Sequence, residues 1–170
     1  MNIVFLGGKQ AGVIGLLTLL ARGDKVSAVI AYDDYVRHLA AEQFDIPLFG
    51  SIEDVDWSKS YDLIVSVHGR EIVPNWMLEG TRLGGINVHP CLYACKGANP
   101  VAKFLKSSAY PKASVGVHWM TDKVDEGKVI HEVFVDVVGC KTEVEVYNAL
   151  YPYYCGALLD ALTIIRWIVR

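Results

Sequence analysis

Short apolar segments alternate with segments of helical periodicity along the first half of the chain. The apolar segments predict strands at residues 3–6, 26–31, 46–49, 61–67 and 85–88. Several of them are almost continuously apolar, which is typical of strands covered on both faces in a parallel sheet. The alternation with helices therefore predicts an α/β fold, in which a mostly parallel sheet carries helices on both faces.

The helices are predicted from their apolar periodicity and from the residues at their ends. They cover residues 11–21, 35–44, 75–78, 100–105 and the segment from 142 onward. Asn99 is expected to cap the fourth of these helices, and Thr142 and Glu145 match the Thr-x-x-Glu capping box of the fifth. Pro152 is expected to kink or restart that last helix, because proline lacks the N–H that a helix interior uses.

Two further strands are predicted at residues 114–120 and 129–137, separated by a short polar turn. Such a connection suits an antiparallel pair, so the sheet is expected to end in an antiparallel or mixed edge. A chain of 170 residues without a visible linker is expected to form one domain, residues 1–170. Ligands of such sheets bind beyond the carboxyl ends of the strands, so polar residues at those ends are candidate site residues.

The composition excludes several classes of partner. Hydrophobic residues make up 52% of the chain and charged residues 21%, and the net charge is −3. This is a globular composition that offers no basic surface to a nucleic acid. No apolar run approaches the ~20 residues that cross a bilayer, and residues 1–6 lack the features of a leader peptide. We therefore expect a cytoplasmic protein with neither nucleic-acid nor membrane partners.

The cysteines are expected to be free thiols of a reducing compartment, at Cys91, Cys95, Cys140 and Cys155. His89 lies close to the first two, but the spacing lacks the paired ligands of a zinc site, so we expect no metal. Cys91 is also a poor candidate nucleophile, because a reactive thiol needs a lowered pKa.

A glycine-rich turn, Gly-Gly-Lys-Gln-Ala-Gly at residues 7–12, follows the first strand and opens the first helix. Lys9 replaces the middle glycine, where a dinucleotide brings its pyrophosphate close to the backbone, and this disfavours an NAD-dependent oxidoreductase. Asp33 and Asp34 are the only candidates for the ribose-binding acid of such an enzyme. The turn could bind an anion at the helix N-terminus or be only a tight connection, and both alternatives stay open.

The most specific polar pattern is an Asn-x-His at the end of one predicted strand and an aspartate in a later turn. Asn87 can hold a developing oxyanion, His89 can carry a proton, and Asp125 can orient the histidine or keep it charged. Together they are the parts needed to move an acyl group. Each residue alone has a structural explanation as a strand-end or turn residue. His118, in the strand before the aspartate turn, is expected to pack or hydrogen-bond.

These residues carry a resemblance to a known family. Residues 85–90 (Gly-Ile-Asn-Val-His-Pro), Gly97 and residues 124–127 (Val-Asp-Glu-Gly) resemble the N10-formyltetrahydrofolate-dependent formyltransferases. Residues 67–74 resemble the loop that holds the pterin in that family. The resemblance extends from the first strand to the last helix and implies a Rossmann-like formyltransferase domain.

The resemblance also implies roles for individual residues. The implied catalytic residues are Asn87, His89 and Asp125. The residues implied to hold the folate are Arg70, Glu71, Ile72, Val73, Met120, Thr121 and Val124. The candidates for facing the amine substrate are Gly8, Lys9 and Tyr93 by resemblance and His68 by its place at a strand end. N10-formyltetrahydrofolate is the implied co-substrate, and the chemistry requires no metal.

We therefore expect the chain to transfer a formyl group from N10-formyltetrahydrofolate to the primary amine of a small molecule, by direct attack through a tetrahedral intermediate. Among acceptors we favour an amino sugar nucleotide. Glycinamide ribonucleotide is an alternative acceptor, and a non-catalytic folate-binding module is an alternative function. Residues 91–94 are Cys-Leu-Tyr-Ala where many relatives have Ser-Leu-Leu-Pro, which leaves the acceptor open. The acidic balance and the early end of the chain argue against tRNA.

The last helix is apolar on most of its sides, which is typical of a buried or interfacial helix. One face carries Leu158, Leu162, Ile165 and Val169, and the other carries Leu159, Ile164, Trp167 and Ile168. Packing on the sheet and a homodimer contact are both compatible with this pattern.

Overall fold

The computed structural model describes residues 1–107 and 111–168. Its centre is a seven-stranded sheet with the order β3-β2-β1-β4-β5-β6-β7. The strands are β1 Asn2–Gly7, β2 Lys25–Ala31, β3 Leu48–Phe49, β4 Leu63–Val67, β5 Gly85–Pro90, β6 Ala113–Trp119 and β7 Val129–Val135. The first five strands pair in parallel, and β6 and β7 add an antiparallel edge beside β5. The predicted fold class is confirmed.

Five helices accompany the sheet in the described residues. They are α1 Lys9–Ala21, α2 Asp34–His38, α3 Asn75–Gly80, α4 Pro100–Lys106 and α5 Glu143–Ile168. A π-helical turn, Leu39–Gln43, continues α2, and a short 3-10 turn, Ile52–Asp54, precedes β4.

Two apolar cores lie on opposite faces of the sheet, because successive side chains of a strand point to opposite faces. In β1, Ile3 and Phe5 belong to the core formed with α1, α2, α4 and α5. Val4 and Leu6 belong to the second core, on the side of α3. Each of these side chains is fully buried, which stabilises the fold by roughly 1.5–3 kcal/mol per residue.

Several predicted element ends differ from the structure. The strand predicted at 61–67 begins at Leu63, the one predicted at 46–49 contains only Leu48–Phe49, and the one predicted at 129–137 ends at Val135. The helix predicted at 35–44 is α-helical only to His38 and then widens into the π-helical turn. The end of a strand depends on which of its backbone groups bond to a neighbouring strand. Local sequence does not specify this pairing.

The predicted helix ends are partly confirmed. Glu145 N–H donates to Thr142 Oγ1 at 3.2 Å and Thr142 N–H donates to Glu145 Oε2 at 2.9 Å, so the capping box is formed. Asn99 precedes α4, but its backbone is left-handed and its side chain makes no capping bond within the described residues.

Of the two outcomes expected at Pro152, a restart of the last helix is wrong, because α5 runs without interruption through that residue; a kink there stays a prediction. Proline removes one backbone donor and leaves the Asn148 carbonyl without its usual partner. Both residues lie on the exposed side of the helix, where water can satisfy that carbonyl group.

The inner face of α5 packs on the sheet. Leu158, Leu162 and Ile165 are buried, whereas Trp167 and Ile168 are exposed; Val169 lies outside the described residues. Packing on the sheet therefore explains one apolar face, and a homodimer contact through the other stays a prediction.

All four cysteines, each in the described part of the chain, are free. Among the helices of residues 1–107 and 111–168, none combines the length and apolar character needed to span a bilayer.

Candidate active site

A cleft of about 590 Å³ opens at the carboxyl ends of the central parallel strands. Lys9 follows β1, His68 follows β4, and the last residues of β5 form the wall between them. The turn between β6 and β7 supplies the opposite wall, at residues 120, 121 and 123–125. This is the position at which open α/β sheets bind their ligands.

Asn87, His89 and Asp125 converge in this cleft. Asn87 and His89 are two residues apart in β5, so their side chains project from the same face. Asn87 Nδ2 donates to Asp125 Oδ1 at 3.2 Å, and His89 Nε2 lies 3.0 Å from Asp125 Oδ2. The histidine and the aspartate are buried. The three polar side chains selected from the sequence are therefore one contiguous group.

The β6–β7 turn delivers Asp125 because a glycine lets it fold back on β6. A Cβ atom at Gly127 would lie 1.7 Å from the Trp119 carbonyl oxygen, a distance that no side chain can tolerate. Asp125 itself has a left-handed backbone, with φ of 54°, a conformation that aspartate adopts more readily than most residues. The Asp-x-Gly spacing is thus a geometric requirement of this turn.

Two further groups bind the Asp125 carboxylate. Gly97 N–H donates to Oδ2 at 2.7 Å, and His118 Nε2 lies 3.3 Å from Oδ1. Burial raises the pKa of the Asp125 carboxyl, but the hydrogen bonds from His118, His89 and Gly97 outweigh it and hold that pKa well below its ordinary value. Asp125 is therefore ionised at neutral pH.

His118 has a larger part in the site than the sequence indicated. In the antiparallel register of β5 and β6 it stands directly opposite Asn87, which places its ring beside the carboxylate. The alternation of β6 predicts which face of the strand carries His118. Only the register between β5 and β6 shows that His118 lies opposite Asn87.

The two ring nitrogens of His89 have different surroundings. Nε2 faces Asp125 Oδ2 and, at 3.3 Å, the Gly97 carbonyl oxygen. Both of these groups only accept hydrogen bonds, so Nε2 carries a hydrogen. Nδ1 is buried and has no hydrogen-bond partner among the described residues. It can donate to a ligand only when the ring is charged, and it can accept when the ring is neutral.

His68 lies at the end of β4, on the α5 side of the cleft. Its Nε2 lies 2.9 Å from the Tyr154 hydroxyl oxygen. Burial, reinforced by the positive charge of Lys9 and by His89, lowers the pKa of His68 to about 4. His68 is therefore neutral at pH 7 and serves as a hydrogen-bonding group rather than a charged one.

The residues expected to hold the folate form the other end of the cleft. Its lining includes Arg70, Glu71, Ile72, Val73, Met120, Thr121 and Val124. Ile72 and Val124 are 68% and 54% exposed, so they present apolar surface that a flat heterocycle could cover. Glu71 is already engaged, because Oε2 accepts the Ile52 N–H at 2.8 Å and Oε1 accepts the Tyr32 hydroxyl at 3.1 Å.

The residues expected at the amine end divide into two groups. Lys9 and His68 line the cleft, and Gly8 adjoins it through the His68 carbonyl group. Tyr93 is not among the residues that line the cleft. Its hydroxyl donates to the Lys112 carbonyl at 2.5 Å, and its ring packs edge-on against Phe134 of β7. The structure does not support the expected contact between Tyr93 and the amine, because the chain turns away from the cleft after β5.

Tyr147 is a cleft residue that the sequence did not indicate. It belongs to α5, and the Lys9 ammonium group lies 5.4 Å from the centre of its ring. The packing of α5 against the sheet brings it there, and no local motif could have marked it. Among residues 1–107 and 111–168, no group of three or more histidine, cysteine, aspartate or glutamate side chains is arranged to bind a metal ion.

A comparison of the sequence with protein-family models identifies the family of this chain. The formyl transferase model matches residues 2–162. The chain belongs to the formyl transferase family. A methionyl-tRNA formyltransferase of Bacillus thuringiensis subsp. konkukian (strain 97-27) is 26% identical over 169 residues, which cover 88% of this chain and 54% of the relative. The chain spans about half the length of the curated methionyl-tRNA formyltransferases it matches.

Solved structures of formyl transferases share the fold. A phosphoribosylglycinamide formyltransferase from Anaplasma phagocytophilum superposes with a TM-score of 0.77 at 19% identity, covering 98% of this chain and 87% of that one. The sugar 3N-formyl transferase WlaRD, solved in the presence of dTDP and 5-N-formyl-THF, gives 0.75 at 16% identity, covering 98% and 63%. At these identities the likeness concerns the architecture.

Proposed function

We propose that this chain transfers a formyl group from N10-formyltetrahydrofolate to the primary amine of an amino sugar nucleotide. The observation that carries the proposal is the contact of Asn87 and His89 with one ionised carboxylate, Asp125, in a cleft at the strand ends. The bound folate would supply the formyl carbon.

Asn87 and His89 are suited to stabilise the negative charge that grows on a formyl oxygen under attack. An amide N–H and a charged imidazole both donate hydrogen bonds to such an oxygen, and one donor of this kind is commonly worth ~2.7–4 kcal/mol of barrier. His89 Nδ1 is the ring nitrogen without a protein partner in the described part of the chain. A contact between Nδ1 and the reacting oxygen would give that nitrogen a partner.

Asp125 is suited to orient the ring of His89 rather than to act as a strong base. The contact between its Oδ2 and His89 Nε2, at 3.0 Å, would leave Nδ1 as the ring nitrogen that faces the formyl oxygen. Both carboxylate oxygens of Asp125 are already bonded, Oδ1 by Asn87 and Oδ2 by Gly97 and His89, and the lowered pKa makes the group a weak proton acceptor. The proton released by the attacking amine would therefore leave through water beside the carboxylate. As the bond between N10 and the formyl carbon breaks, N10 takes up a proton and tetrahydrofolate leaves.

An amino sugar is favoured as acceptor by the surface at the α5 end of the cleft. The ammonium group of Lys9 and the ring of Tyr147 lie together there, beside the neutral ring of His68. An aromatic face packs well against the C–H face of a sugar, and a lysine can pair with an anionic group attached to it.

The proposal is tested by incubating the protein with N10-formyltetrahydrofolate and single amines. The panel contains several amino sugar nucleotides, glycinamide ribonucleotide and methionyl-tRNA, and mass spectrometry detects the formylated amine. We expect product from an amino sugar nucleotide. Product from glycinamide ribonucleotide alone would replace the acceptor, and folate binding without product from any amine would make the chain a folate-binding module.

A further inference from the structure

Three backbone N–H groups around the start of α1 donate to groups within the protein. Gly8 N–H donates to the Val67 carbonyl at 3.2 Å, and Gly12 N–H donates to the Gly8 carbonyl at 2.8 Å. Lys9 N–H donates to Asp33 Oδ2. A carboxylate from the end of β2 therefore takes the place that a bound anion takes at many helix N-termini.

Asp33 is fixed in this position by a second contact. Its Oδ1 accepts the Val36 N–H at 3.2 Å, so the same carboxylate caps α2. Lys9 has a left-handed backbone, with φ of 57°, a conformation that is strained for a residue other than glycine. The bond to Asp33 helps to hold Lys9 in this conformation, with its side chain lining the cleft.

Asp33 does not line the cleft but lies behind Gly8, beside the amine end of the cleft. A Cβ atom at Gly8 would lie 3.3 Å from Asp33 Oδ2 and 3.3 Å from the His68 carbonyl oxygen. A phosphate oxygen approaching the start of α1 would thus meet a carboxylate in the place where it needs an N–H donor. A phosphomonoester carries up to two negative charges near neutral pH, so the Asp33 carboxylate would repel it.

We propose that Asp33 determines acceptor specificity by excluding phosphomonoesters from the start of α1. Acceptors would instead be selected for a sugar ring on Tyr147 and for an anionic group that reaches the Lys9 ammonium. The inference rests on the proposed function, because it requires that the cleft binds an amine acceptor. It assigns to Asp33 the exclusion of acceptors that carry a ribose 5-phosphate group.

The test measures binding rather than turnover. Ribose 5-phosphate is titrated by isothermal calorimetry into the wild-type chain, Asp33→Asn and Asp34→Asn. Asparagine removes the charge and keeps one acceptor oxygen, which can cap α2 by accepting from Val36 N–H. Asp34 is the matched control, because it is the next residue in sequence, is exposed, and pairs only distantly with Arg37, at 3.9 Å.

We expect Asp33→Asn to bind ribose 5-phosphate about tenfold or more tightly than the wild type, and Asp34→Asn to match the wild type. If Asp33→Asn does not fold by circular dichroism, Asp33→Ser, which retains a capping oxygen, takes its place. Equal binding by the wild type and the folded Asp33 variant would overturn the proposal, as would an equal gain in Asp34→Asn. Because this assay needs neither folate nor an amine, its outcome is independent of the product assay that tests the proposed function.

Discussion

At the scale of single residues, the site depends on one carboxylate that binds four groups. Asp125 contacts Asn87, His89, His118 and the Gly97 N–H. A buried charge is tolerated only when it is hydrogen-bonded in this way. The hydrogen bonds that compensate for the burial of the Asp125 charge also fix the orientation of the His89 ring.

Asp125→Asn is expected to lower kcat for formyl transfer about a hundredfold or more while leaving the fold intact. The amide keeps the shape and can still accept from Gly97 N–H, but it removes the negative charge that contacts His89 Nε2 and orients the ring. The measurement is steady-state kinetics with whichever amine the product assay identifies. Asp122→Asn, in the same turn and exposed, serves as the control. Near-normal kcat in Asp125→Asn would contradict the role given to the carboxylate.

The depressed pKa of His68 predicts a loss of stability in mild acid. The folded-state pKa is about 4, below the ordinary 6.5, so the unfolded chain binds the proton more tightly than the folded one. His68 therefore contributes fully above about pH 6.5, and its contribution falls as the pH drops from there toward 4. Between about pH 7.5 and about pH 5 we expect it to account for about 2 kcal/mol of the fall in unfolding free energy.

Urea denaturation at both pH values measures this fall, and His68→Asn isolates the share of His68. Asparagine does not titrate and tolerates the left-handed backbone at this position, where φ is 58°. The variant should lose less stability than the wild type on acidification. An identical loss in both proteins would show that other groups carry the acid sensitivity.

At the scale of elements, the sequence predicted the strand that carries Asn87 and His89 and the turn that carries Asp125, because apolar runs and glycine turns are local signals. It did not predict Tyr147 or the Asp33 bond to Lys9. Both depend on how α5 and the end of β2 pack against other elements, and the local sequence does not specify this packing. The position of Tyr93 outside the cleft lining has the same origin, since its neighbours in sequence are site residues whereas its side chain contacts Lys112 and Phe134.

Gly127→Ala is expected to disturb the β6–β7 turn and the site together. The added methyl group would overlap the Trp119 carbonyl oxygen, at 1.7 Å, so the turn must move and carry Asp125 with it. Overpacking of this kind costs roughly 1–3 kcal/mol or more. Thermal and urea denaturation should show the loss, together with a fall in transfer activity.

Gly156→Ala is the control for this substitution. Nothing lies within 4 Å of a Cβ atom at that position of α5, and alanine is the better helix former, by roughly 0.5–1 kcal/mol. It should be neutral or slightly stabilising. A Gly127→Ala protein as stable and as active as this control would disprove the close approach of the turn to β6.

At the scale of the whole molecule, the exposed end of α5 predicts a homodimer. Trp167 and Ile168 are 70% and 69% exposed at the end of a helix whose opposite face is buried on the sheet. Large apolar side chains that stand together on a surface commonly mark an interface, and two copies of one helix can pair about a twofold axis.

Sedimentation velocity at micromolar concentration tests this prediction. The wild-type chain should sediment as a dimer, and Ile168→Glu should shift it toward monomer, because paired copies would bring two charges into an apolar contact. Val138→Glu is the control, since Val138 is 87% exposed but lies in the loop before α5; it should leave the dimer intact. A wild-type chain that sediments only as monomer would remove the interface and leave the exposed apolar end of α5 unexplained by self-association.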